Sequence, residues 1–293
     1  MSDTEIKQML NYNSLVIAGG AMKVLSVIGV FQYLEEKNIL KNIHNFVGTS
    51  AGALMCLLIS LGYNSHEIKN IVVDTLQNEK ITNLNADGIL DILSTYGISD
   101  GSNMEELYDQ LIYKKLKKSK LTFIEFAKMT GNNLVICVSN LSKERSEYMC
   151  VNNTPDISIA KAVKISCSIP ILYTPTTLND HLYVDGGVYN NFPIDYFKDH
   201  SLKDILGINI ISKNYQRNES FMEYIQFIMH SIIHKLNHKN NIIYNANDKN
   251  IITLEFEDND GWFNISEIKI SIPLDILEKY IKMGYDECKN KLS

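Results

Sequence analysis

The chain has 293 residues, 45% hydrophobic and 21% charged, a soluble globular balance with room for one large core or a core plus a modest extension. A formal net charge of −6 excludes a global attraction to nucleic acid or anionic lipid, so no nucleic-acid partner is expected. Its 5 cysteines, at 56, 137, 150, 167 and 288 with no CxxC pair, argue against a disulfide framework or a thiolate zinc site and fit a reducing compartment.

The opening Met1-Ser2-Asp3-Thr4-Glu5 has neither the basic start nor the apolar core of a signal peptide. No run approaches the ~18 apolar residues that span a bilayer, and Asn290-Lys291-Leu292-Ser293 carries no prenylation cysteine. The expectation is a cytoplasmic protein whose contact with membranes is peripheral. Residues 15–18 read as a first strand, followed by Gly19-Gly20. Over 21–37, Val24, Val27, Ile28, Phe31 and Leu34 recur at helical spacing, with Asn38 as a stop. Residues 43–47 read as a strand, Gly48-Thr49-Ser50-Ala51-Gly52 as a turn, and 53–59 as a buried helix ending near Gly62. This β-α-β-α order predicts an α/β fold, a three-layer α/β/α sandwich with a mostly parallel central sheet.

Residues 64–130 are mostly helical in pattern, interrupted at 96–101. Within them Lys114, Lys115, Lys117, Lys118 and Lys120 form a basic run, either a solvated face or a patch that steers the protein to anionic lipid. A buried strand is predicted over 134–138 with a partner at 147–151, then a short helix over 157–165 before Pro170. A strand at 181–184 runs into Asp185-Gly186-Gly187, and another covers 205–211. Beyond 213 come a helix (219–236), a strand (251–256) and a closing helix (273–291). The apolar face of the 219–236 helix exceeds half its circumference, which suits either core burial or the headgroup layer of a membrane. No linker or internal repeat separates these parts.

Strand, G-x-S-x-G, helix is the context of a nucleophile elbow, in which small residues around Ser50 allow a sharp reversal at a helix N-terminus. A serine hydroxyl needs a base and donors aimed at the oxyanion of its tetrahedral intermediate. The amide of Ala51 is one donor, and Gly19-Gly20-Ala21-Met22-Lys23, a second strand-to-helix turn at the same sheet edge, offers others. That turn lacks the Walker A and dinucleotide patterns, leaving an anion cradle or an ordinary glycine turn. For the base, none of the seven histidines (44, 66, 181, 200, 230, 234, 238) sits in a functional-looking turn. His230, His234 and His238 recur at i, i+4, formally a metal spacing but without a Glu or Cys companion. Asp185 ends an apolar strand and precedes two glycines, which leaves its carboxylate above the sheet edge. Alone, Asp-Gly-Gly is an ordinary turn; beside an elbow with no histidine candidate it becomes the favoured base.

These motifs, Gly19-Gly20-Ala21-Met22-Lys23-Val24, Gly48-Thr49-Ser50-Ala51-Gly52 and Asp185-Gly186-Gly187, resemble those of the patatin-like phospholipase family. Ser166-Cys167-Ser168-Ile169-Pro170 and Tyr183-Val184-Asp185-Gly186-Gly187-Val188-Tyr189-Asn190-Asn191-Phe192-Pro193 are also similar to the family's sequences. The resemblance covers residues 13–212 and implies a catalytic domain there, with 64–130 a helical insertion and candidate lid, and 213–293 an extension on the same core. It implies a Ser50–Asp185 dyad without cofactor or metal, hydrolysing the ester of a phospholipid or other glycerolipid. It further implies an oxyanion hole among Gly19, Gly20, Ala21 and Ala51, with Lys23, Gly48, Gly52, Gly186 and Gly187 shaping the turns. The family's glycines at the positions of Ala21 and Val24 are replaced here, and alanine takes φ > 0 only at a cost. Lys23 keeps the family's basic position, supporting the turn, attracting a phosphate, or simply solvated. The rival readings are a lipid-binding or regulatory protein of this fold that has lost turnover, an α/β-hydrolase with a Ser-His-Asp triad, and a non-lipid esterase or transacylase using the same dyad.

Overall fold

The computed structural model describes residues 12–76, 94–199, 201–213, 248–257, 263–264, 269–270 and 272–293. Every side chain of the first strand, β1 (Ser14–Ile17), is buried. Successive side chains of a strand point to opposite faces, so layers cover both sides of the sheet there. β2 (Asn45–Thr49) and β4 (Asn133–Asn140) are buried in the same way after their first residue. These strands run parallel with β9 (Ile205–Lys213) and β10 (Ile251–Glu257) in the order β10-β9-β1-β2-β4. The three-layer α/β architecture expected from the sequence is the one found.

Past β4 the sheet becomes antiparallel, and this change of direction positions the site. β5 (Arg145–Met149) returns along β4, while β8 (His181–Asp185) pairs with Val138, Ser139 and Asn140, and β7 (Thr176–Leu178) pairs with β8. Ile136 and Cys137 of β4 pair with β2 and β5; Val138, Ser139 and Asn140 pair with β5 and β8. A strand residue has one neighbour on each side, so β2 and β8 share one side of β4 and run toward each other. The last pair of β2 is Thr49 with Cys137, and the last of β8 is Asp185 with Val138. Consecutive rungs of β4 therefore bring the residue after β2 to the end of β8.

The helix expected over 21–37 is divided into a 3-10 segment, Ala21–Ser26, and α1 (Val27–Glu36). Tight 3-10 winding is common at helix starts. Then follow α2 (Ala51–Ser60), α3 (Ser65–Leu76), α4 (Ser102–Leu116), α5 (Phe123–Thr130), α6 (Ile159–Ser166) and α7 (Leu274–Leu292). The break foreseen at 96–101 contains a short strand, β3 (Gly97–Ser99), parallel to β6 (Ile171–Tyr173). β3, β6 and β7 escape sequence reading because three residues are too few to display a period. The partner of β4 begins two residues earlier than foreseen, because a turn over only 141–144 connects the hairpin. α4 buries Tyr108, Leu111 and Ile112 in the main core.

α7 lies across α1 with backbones in contact. A Cβ added to Gly284 would stand 1.8 Å from the Ser26 carbonyl oxygen, and one on Gly29 1.8 Å from that of Ile281. Tyr285 meets Tyr33 edge-on at 5.6 Å and donates to Glu36 at 2.8 Å. Leu277, Tyr280, Ile281, Cys288 and Leu292 join the same core as β1. The helix expected over 219–236, and His230, His234 and His238, lie outside the described residues. Among the described residues no helix is long and apolar enough to cross a membrane.

Candidate active site

β2 delivers Ser50 into a left-handed conformation, φ 53° and ψ −132°, directly before α2. Side chains seldom adopt this geometry, and it persists only where the surroundings impose it. The flanking glycines permit it by close approach: a Cβ on Gly48 would meet Gly52 O at 2.6 Å, and one on Gly52 would meet Ala18 O at 2.4 Å. The Ser50 hydroxyl donates to Asp185 Oδ2 at 2.6 Å. Gly187 N–H donates to the other carboxylate oxygen, Oδ1, at 2.7 Å. Behind the acid, Gly186 is pressed against β4, where a Cβ would come within 2.3 Å of Cys137 O. Among the described residues no imidazole bonds either member of the pair, as a Ser-His-Asp arrangement would require.

Both residues are only 6% exposed. Burial pushes the Asp185 carboxyl up to about 7, against the opposing pull of the hydrogen bonds from Ser50 and Gly187. A carboxylate in this range holds a proton firmly enough to serve as a base near neutrality, which an exposed aspartate does poorly.

The glycine turn after β1 lies against the serine: a Cβ on Gly19 would be 3.1 Å from Ser50 Cβ and 2.5 Å from Asn191 Oδ1. Asn191 grips this residue twice, accepting from Gly19 N–H at 2.9 Å through its carbonyl and donating from Nδ2 to Gly19 O at 2.9 Å. The Gly19 amide is thus engaged, and the expected set of oxyanion donors contracts to Gly20, Ala21 and Ala51. These three amides meet no acceptor among the described residues. Ala21 adopts φ 46°, the conformation a glycine would take without strain. Ala21→Gly is accordingly expected to raise stability by about 0.5–1 kcal/mol after the entropy of the freer unfolded chain is counted, as read by urea denaturation. Val24, within the 3-10 segment, is buried in the core.

Lys23 is not a solvated lysine. It is 7% exposed, donates from Nζ to Ser212 Oγ of β9 at 2.7 Å, and lies 5.9 Å from the centroid of the Phe256 ring of β10. This ties the glycine turn to the adjacent strands. The lysine run, in contrast, lies at the far end of α2 from Ser50. Lys115 contacts Gly62 O at 3.2 Å and Glu67 at 2.9 Å, and Lys118 pairs with Glu125 at 2.7 Å. Ten residues of helix span ~15 Å, so the Lys115 contact lies about that far along α2 from the serine, beyond the Debye length of about 8 Å at physiological salt. Charge reversal of the exposed Lys114, Lys117 and Lys120 is therefore expected to leave hydrolysis of anionic vesicles within about twofold of the parent. A collapse of that rate would favour the steering role.

The family model for patatin-like phospholipase matches residues 15–198. The chain belongs to the patatin-like phospholipase family. A relative from Invertebrate iridescent virus 6, named "Probable lipid hydrolase 463L", is 31% identical over 217 residues, covering 71% of this chain and 73% of its own. Among solved structures, VipD from Legionella pneumophila superposes with a TM-score of 0.66 at 16% identity, over 96% of this chain and 67% of VipD. ExoU of Pseudomonas aeruginosa, in its complex with SpcU, gives a TM-score of 0.54 at 16% identity, over 96% of this chain but 51% of ExoU. At such identities the likeness is one of fold. In this patatin-like site, sequence reasoning singled out no role for Asn191, although it sits in the quoted Asn190-Asn191-Phe192-Pro193 stretch. Its signal is weak because a side chain that grips a distant turn leaves no local periodicity.

Proposed function

We propose that the chain is a lipid acyl hydrolase of the phospholipase A or lysophospholipase kind, acting through Ser50 and Asp185. The observation that supports it most is the 2.6 Å hydrogen bond from a left-handed serine to a buried carboxylate. In the first half-reaction the Ser50 oxygen bonds to the ester carbonyl carbon while its proton passes to Asp185 Oδ2. The carbonyl electron pair moves onto oxygen, facing the amides of Gly20, Ala21 and Ala51. Collapse of this intermediate expels the lysolipid or glycerol alkoxide, which takes the proton from Asp185. In the second half-reaction water gives a proton to Asp185 and attacks the acyl-serine. Release of the fatty acid returns the proton to Ser50.

The helix behind Ala51 and the buried setting strengthen attraction to the developing oxyanion. A fluorophosphonate is expected to label the protein at Ser50 and to leave Ser50→Ala unlabelled, with lipid-product mass spectrometry on a mixed membrane extract reporting released fatty acid. Absence of both labelling and fatty acid would favour a lipid-binding protein that has lost turnover.

A further inference from the structure

The two members of the pair, Ser50 and Asp185, both suspend their backbone N–H groups from one three-residue segment. Ser50 N–H donates to Ser166 Oγ at 2.8 Å, and that hydroxyl donates onward to Cys137 O at 2.6 Å. Two residues later, Ser168 O accepts from Asp185 N–H at 2.9 Å. The segment is itself fixed to the end of α6 by Ser168 Oγ, which donates to Lys164 O at 2.8 Å. Ser166 is fully buried, so no water replaces its hydroxyl at low cost. The Cys137 carbonyl it engages is the same one against which Gly186 is packed.

We propose that Ser166 is a positioning residue for acyl transfer: its hydroxyl locks the left-handed backbone of Ser50 to the strand and helix end that also carry Asp185, and so sets the distance between hydroxyl and carboxylate. The inference rests on the dyad reading above. Elbow glycines allow the turn but do not select its orientation; the Ser166 bridge does. Without it Ser50 N–H and Cys137 O lose a shared partner, the backbone relaxes, and the hydroxyl draws away from Asp185. Misplacement of a reacting group by about 1 Å costs roughly 10²-fold in rate.

The test uses the full chain, with p-nitrophenyl butyrate as substrate. Ser166→Ala is expected to lower kcat about 10–100-fold with KM within about twofold. It is also expected to move the acidic limb of kcat/KM to higher pH, because the hydroxyl that holds the Asp185 carboxyl down is withdrawn. The titratable groups facing Asp185 are Cys137 of β4, Cys167 beside Ser166 and Tyr108 of α4. Burial pushes all three upward, so they stay neutral where the limb is read. Ser60→Ala removes another buried hydroxyl, bonded to Leu57 O at the other end of α2, and is expected to change neither quantity. Ser166→Cys, close in volume but a poor acceptor, carries the same expectation should the alanine variant fail to fold. A folded Ser166 variant with the parental kcat and acidic limb overturns the proposal while the dyad stands. A Ser50→Ala variant as active as the parent overturns both.

Discussion

Asp185→Asn is expected to lower ester hydrolysis by about 10³–10⁴-fold while the protein melts at a higher temperature than its parent at pH 8. The first effect follows from loss of the base, whose contribution in such reactions is typically 10²–10⁴-fold. The second follows from burial. The folded-state carboxyl is held at about 7, well above the ~3.9 of an unfolded aspartate. The native state therefore binds this proton more tightly than the unfolded chain. The associated stability is fully present below the unfolded value and is lost as pH rises through about 7. Asparagine is neutral at every pH, so its advantage is greatest above neutrality and closes toward pH 4–5. In the parent, kcat/KM is expected to rise through the same range as the base ionises. Thermal melts at pH 5 and 8, run beside the kinetics, check both halves. A variant that turns over robustly, or that melts lower than the parent at pH 8, contradicts the assignment.

Gly284→Leu is expected to destabilise the fold by about 3 kcal/mol or more, or to abolish soluble protein. Overpacking a core usually costs about 1–3 kcal/mol because side chains shift to make room. At Gly284 the obstacle is the backbone oxygen of Ser26, which a Cβ would approach to 1.8 Å. The helices would have to part, exposing Leu277, Tyr280 and Ile281. Lys279→Leu, on the exposed side of the same helix, is expected to change stability by under about 0.5 kcal/mol. Urea denaturation of the two variants decides the matter. A fragment ending at residue 198, where the family match stops, would lack β9, β10 and α7 and is expected not to fold.

The parallel strands were the most legible part of the fold. Strands buried on both faces must be continuously apolar, and residues 15–18 and 134–138 are. Ser50 and Asp185 could be singled out because each lies at or just past the end of an apolar strand, in a turn built with glycines: Gly48 and Gly52 flank the serine, and Gly186 and Gly187 follow the acid. The short strands β3, β6 and β7 were not, since their pairing comes from tertiary contact. Nor was the burial of Lys23, as a lone lysine in a turn gives no hint that Ser212, 189 positions away, receives it. The engaged Gly19 amide was equally hidden, because its acceptor, the carbonyl of Asn191, is supplied by a distant loop.

The nose-to-nose arrangement of β2 and β8 along β4 makes activity a report on strand registration. Side chains alternate faces with a period of two, so a one-residue slip of β8 would turn the carboxylate to the opposite face of the sheet. Such a slip would also turn the buried Tyr183 and Val184 to the opposite faces, so the slipped molecule would be destabilised as well as chemically inert. Refolded samples would then divide into competent and dead populations rather than uniformly weakened ones, a division that titration with an irreversible serine reagent would count directly.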